Sequence, residues 1–133
     1  MRGHPELSEA ARRYETGDYN RAAIPTAIVM VKLFFKIGIV NIYEHLIRIT
    51  SIFTDGLKML DYRLSTNDNL NVCAERVTFF PADPSRTAAL FDYLTADGVV
   101  LSQRESMLRI APHFYNTAAE MNRLINQLNN KVR

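Results

Sequence analysis

Cysteine is almost missing from this chain: Cys73 is the one cysteine among 133 residues. A lone thiol excludes an intrachain disulfide and a cysteine-based zinc site, and it fits a reducing compartment. No histidine or basic residue adjoins it in sequence to activate the thiol, so an inert rather than a nucleophilic cysteine is expected. An excess of either charge is missing too. Sixteen Lys+Arg against fourteen Asp+Glu leave a net charge of +2, too small to imply nucleic acid or an anionic membrane as partner. The charges are spread along the chain, so no block forms a binding tail. No apolar run is long: the most continuous, Ala27 to Phe35, falls well short of the roughly 20 residues that span a bilayer. Met1 to Asn20 is polar and has no apolar central region, so no secretory leader is expected and the cytoplasm is the expected location.

Chemical motifs are scarce as well. There is no G-x-S-x-G, no P-loop and no G-x-G-x-x-G. His4 and His45 have no ligand-type residue at metal-binding spacing, so no metal site is expected. The lysines are Lys32, Lys36, Lys58 and Lys131, and all four fall within predicted helices. None follows a strand in a small-residue turn, where a Schiff-base lysine could be desolvated and presented. They read as solvated or snorkelling side chains.

What is present is ordinary globular composition, 47% hydrophobic and 23% charged, at one domain's length. Residues 1–21 have poor apolar periodicity and the turn composition Glu15-Thr16-Gly17-Asp18-Tyr19-Asn20, which predicts an irregular arm. Residues 22–37 predict a helix with Pro25 in its first turn, where a missing N–H costs little. Its middle is apolar nearly all round, as in a helix buried on every side. A chain this short can rarely surround one, so a missing neighbour is implied. After Gly38, the spacing Ile39, Ile42, Leu46, Ile49, Phe53, Leu57 and Leu60 predicts a second long helix with one apolar face.

From Asp61 the period changes. Strands are predicted at 62–66, 75–80, 99–102 and 107–111, with Gln103-Arg104-Glu105-Ser106 as a hairpin turn. Asp83 and Pro84 open a helix that Gly98 ends. Thr117-Ala118-Ala119-Glu120 is a capping-box pattern opening a final helix, with Met121, Leu124, Ile125, Leu128 and Val132 on one face. The order predicts an α+β fold: a small, mostly antiparallel sheet with helices on one face, preceded by an irregular arm and two long helices. Residues 1–21 form the arm, and 22–133 the helical connection and small domain.

Arg109 is the most informative side chain. In Met107-Leu108-Arg109-Ile110-Ala111, strand alternation sends Leu108 and Ile110 to one face and Arg109 to the other. A guanidinium in an apolar strand calls for a partner, and its planar fork matches a carboxylate. On spacing alone, a structural ion pair or a place on a solvated sheet face is the simpler account. His113, just beyond, has acid–base potential, but a hydrogen-bonded turn residue is the simpler account.

The run from Met107 to Thr117 followed by an amphipathic helix resembles the end of class V aminotransferase-like enzymes. These are pyridoxal-phosphate (PLP) proteins of fold type I, related to cysteine desulfurases and isopenicillin N epimerases. Arg13-Tyr14-Glu15-Thr16-Gly17-Asp18-Tyr19-Asn20 resembles the family's Arg-aromatic-Glu-x-Gly-x-x-Asn segment, and Gly38 through His45 resembles the helix leading into the small domain. The resemblance implies that Arg109 binds the α-carboxylate of an amino-acid-like substrate. It implies that Gly17 and Asp18 reach the cofactor phosphate, typically of the other subunit in a homodimer. The family often has threonine where this chain has Asp18. Desulfurases carry a cysteine shortly before the equivalent of Arg109, and Gln103 to Ser106 contains none. The Schiff-base lysine and the large cofactor domain would precede residue 1, so this chain alone is expected not to be catalytically competent. It would hold no PLP tightly. The reaction type, whether lyase, epimerase or aminotransferase, stays open. So does a second reading: a stand-alone, non-catalytic interaction module, or a truncated gene product, that docks through the helix at 22–37.

Overall fold

The computed structural model of the chain describes residues 21–65 and 76–132. The arm carrying Gly17 and Asp18, the Thr66–Asn69 turn and Cys73 lie outside the described residues. The chain divides into two compact units, residues 1–36 and 37–133.

In the first unit, α1 is Ala23–Ile37, an apolar helix in which no residue is buried. Val29 is 65% and Phe35 77% exposed. The all-round apolarity seen in the sequence is therefore matched by a helix that is mostly exposed, with Phe34 and Ile37 partly buried.

The second unit opens at Gly38, whose φ of 91° is a left-handed value that suits glycine. Helix α2, Ile39–Met59, follows. Its apolar face reaches the core through Ile49, Phe53 and Leu57, all fully buried. Its end is a double hydrogen-bonded cap: Asp61 N–H donates to the Lys58 carbonyl and Tyr62 N–H to the Leu57 carbonyl. Asp61 takes the left-handed position, at φ 58°.

Strands β1 (Arg63–Leu64), β2 (Val77–Phe80), β3 (Ser102–Arg104) and β4 (Met107–Ile110) form one antiparallel sheet in the order β1-β2-β4-β3. Between β2 and β3, Asp83 Oδ1 accepts from the Ser85 N–H at 2.9 Å and caps a 3₁₀ turn, Pro84–Arg86. This turn runs into α3, Thr87–Ala96. Gly98, at φ 83°, ends α3 with the same double cap: Gly98 N–H donates to Thr95 and Val99 N–H to Leu94.

That cap holds Val99, so β3 starts at Ser102 rather than at the predicted residue 99. The predicted four-residue turn is also tighter. Arg104 pairs with Met107, leaving only Glu105 and Ser106 at the tip. Glu105 bends the chain with φ 51°.

Helix α4, Ala118–Val132, closes the unit. Its capping box forms as predicted: Thr117 N–H donates to Glu120 Oε2 at 2.6 Å, and Glu120 N–H to Thr117 Oγ1 at 3.3 Å. Met121, Leu124 and Leu128 join the core opposite α2.

Alternation along the strands fixes the sheet's two faces. Val77, Phe79, Leu108 and Ile110 point into a core shared with Phe53, Leu57, Leu90, Leu94, Leu124 and Leu128. Phe79 is gripped edge-on by Phe53 and Tyr62, with ring centres 5.7 and 5.6 Å away. The helices thus supply the cover for one face, and Arg109 belongs to the other.

Candidate functional site

Cross-strand register places the candidate residue. Arg109 is paired with Thr78 of β2 on one side and Ser102 of β3 on the other. Paired residues in an antiparallel sheet share a face, so Thr78, Arg109 and Ser102 form a row on the side away from the core. Arg109 is half-buried there. Its Nε donates to Ser102 Oγ at 3.1 Å. Among the described residues, its two terminal nitrogens meet no acceptor and no carboxylate faces it. The structural ion pair that the sequence left open is therefore absent from the described residues. With Nε held, the terminal nitrogens remain as an edge of the fork that can take a carboxylate through two parallel hydrogen bonds.

The segment after β4 is tied down on several sides. Asn116 Oδ1 accepts from the His113 N–H at 2.8 Å, and Asn116 N–H donates to the His113 carbonyl at 2.9 Å. His45 of α2 meets the Asn116 carbonyl through Nε2 at 2.8 Å, and Arg48 Nη2 meets His45 Nδ1 at 3.0 Å. These contacts assign the tautomer: Nδ1 accepts from the arginine, so Nε2–H donates to the carbonyl. The link anchors the turn after Arg109 to the middle of α2. Glu120 completes it. Its carboxyl is held below the usual range, mainly by the Thr117 N–H, then by the Thr117 hydroxyl and the Asn116 side chain.

His113 differs from the simple turn residue predicted. Its backbone is satisfied, but its ring is stacked on Tyr115 at 4.5 Å, with Nδ1 buried and unpartnered among the described residues.

Two concavities lie elsewhere. One of about 350 Å³ is bordered by Asp97, Val100, Tyr115, Met121 and Gln127. Another of about 150 Å³ is bordered by Tyr62, Asp83, Arg86 and Lys131. Neither reaches Arg109. Among the described residues, no group of three or more His, Cys, Asp or Glu could hold a metal ion. No single helix among them is long and apolar enough to cross a membrane.

Sequence reasoning missed Ser102 as the partner of Arg109. The signal was the turn length: a two-residue tip pairs 104 with 107 and hence 102 with 109, whereas the predicted four-residue turn sets Arg109 opposite Val100. The His45–Asn116 contact left no signal, because it joins residues 71 apart.

No family model matches the chain. Over 128 residues it is 28% identical to an "Uncharacterized aminotransferase YcbU" of Bacillus subtilis (strain 168), covering 91% of this chain and 32% of that protein. Its fold matches that of a NifS-like protein at a TM-score of 0.74 and 17% identity, over 91% of this chain and 36% of the other. It matches an apo cysteine desulfurase from Thermococcus onnurineus NA1 at a TM-score of 0.79 and 20% identity, over 96% and 35%. The chain is thus similar to an aminotransferase over most of its own length. At these identities the two solved structures speak for the fold alone. The chain spans about a third of the length of the relatives it matches.

The described residues do not by themselves make a PLP site. All four lysines lie on helices: Lys32 on α1, Lys58 on α2, Lys36 at the end of α1 and Lys131 on α4. Lys131 Nζ sits over the Tyr93 ring at 4.2 Å. What the described residues offer is a half-buried guanidinium on the sheet, held at Nε by Ser102.

Proposed function

We propose that this chain is the C-terminal small domain of a PLP-dependent class V aminotransferase-like enzyme, and that Arg109 holds the α-carboxylate of its amino-acid-like substrate. The observation that carries this reading is the state of Arg109. It is half-buried, fixed at Nε by Ser102, and without an acceptor among the described residues at its terminal nitrogens. Similarity to an aminotransferase over nine-tenths of the chain, and over only a third of that protein, supports a part rather than a whole enzyme. The cofactor would supply the electron sink. Its lysine and ring site would come from the remainder of the enzyme, so the chain alone carries no catalytic centre. Gly17 and Asp18 would touch the cofactor phosphate across a homodimer interface in the cytoplasm.

The test is Arg109→Lys in an enzyme that contains this chain. Losing the fork should raise KM for the amino acid by roughly tenfold or more, the cost of a charge-assisted pair. Affinity for PLP should stay put. Unchanged kcat/KM for the amino acid would remove Arg109 from this role.

A second reading rests on α1. Its exposed apolar side chains, Ile24, Val29 and Phe35 among them, suit a protein–protein contact made by a stand-alone module. A chain that sediments as a clean monomer at micromolar concentration, with α1 ordered, would count against that reading.

A further inference from the structure

The sheet's four strands contain three arginines, Arg63, Arg104 and Arg109, and no acidic residue. Register puts all three on the face away from the core. Arg109 stands in the row Thr78–Arg109–Ser102. The next row follows from Arg63 paired with Phe80 and Arg104 paired with Met107. A solvated sheet face ordinarily mixes charges of both signs. Here the described strands present one sign only.

The three guanidinia differ in what they do. Arg63 lies on the edge strand with its guanidinium 4.1 Å above the Phe80 ring. Arg109 is held by Ser102. Arg104 is exposed and, among the described residues, engages nothing. It is the diagonal neighbour of Arg109 on the adjacent strand, a Cβ separation of roughly 7–8 Å that long side chains can bridge. Half-buried Met107 lies beside both, an apolar floor between two cations.

We propose that Arg104 is a second anion site beside Arg109, and that this face takes amino acids carrying a second acidic group in the side chain. The α-carboxylate sits on Arg109, the methylene stem crosses Met107, and the distal acid meets Arg104. This rests on the reading of Arg109 as the α-carboxylate site and adds the class of substrate.

The experiment titrates this chain with L-alanine and with L-glutamate at low ionic strength, following the arginine Nε–H resonances by NMR. Glutamate should bind about threefold to fivefold more tightly than alanine, the size of effect an exposed charge pair produces. Arg104→Gln should abolish that preference and leave alanine binding unchanged; Arg63→Gln should leave the preference intact. Arg104→Gln retaining the preference, or Arg63→Gln removing it, would overturn the assignment while the reading of Arg109 stands. Arg109→Gln leaving alanine binding unchanged would overturn that reading itself. Binding of neither amino acid would overturn the Arg104 site, while the reading of Arg109 is decided by Arg109→Lys in an enzyme that contains this chain. Arg104 is exposed at a hairpin tip, so its substitution should not disturb folding, and the amide spectrum of each variant checks this.

Discussion

Gly56 of α2 lies directly beneath the side chain of Ile125 of α4. A Cβ at position 56 would run into the Ile125 branch, with Cγ1 2.6 Å away. Glycine is therefore what lets the two helices approach, although it lowers helix propensity. Gly56→Ala should destabilise the chain by about 1–3 kcal/mol, the usual cost of overpacking. Ile125→Val should relieve part of that, giving a less-than-additive double mutant in urea titrations. Additive losses would show that the two side chains do not compete for the same space.

Asp61 occupies the left-handed position at the end of α2, where its Cβ costs about 1 kcal/mol relative to glycine. Asp61→Gly should raise the melting temperature, against the common direction for a substitution to glycine. A lower Tm would mean that the aspartate side chain contributes more than its backbone strain.

Glu120 gives the fold an acid-sensitive element. Its pKa is depressed in the folded chain by the Thr117 N–H, so its contribution is complete above the ordinary glutamate value of 4.5. It is lost as pH falls through the lower folded value. Glu120→Gln keeps an acceptor that does not titrate. Its melting temperature should fall less than that of the parent chain between about pH 7 and about pH 3. Asp83, depressed by Ser85, acts in the same direction in both chains and cancels from the comparison. Equal losses in the two chains would place acid sensitivity elsewhere.

The elements with strong local signals were legible in the sequence. The three- and four-residue spacing from Ile49 to Leu57, the Thr117–Glu120 box and the Asp83-Pro84 start each state their structure within one or two turns. So did the face of Arg109, because alternation is fixed by the backbone. Its partner was not legible. Ser102 depends on the register of a hairpin, and the two-residue tip at Glu105 and Ser106 sets that register. The His45–Asn116 contact was hidden for another reason, since a side chain meeting a distant carbonyl has no periodicity to betray it. The exposed state of α1 was foreseen only as an oddity, an apolar helix in want of a neighbour.

The pairing of α2 with α4 also sets a schedule. Ile49, Phe53 and Leu57 are covered by a helix that begins some 60 residues later, so the core is non-local. During synthesis the apolar face of α2 lacks this part of its cover until α4 clears the ribosome. A chain built this way has a window in which chaperones, or aggregation, can compete for α2.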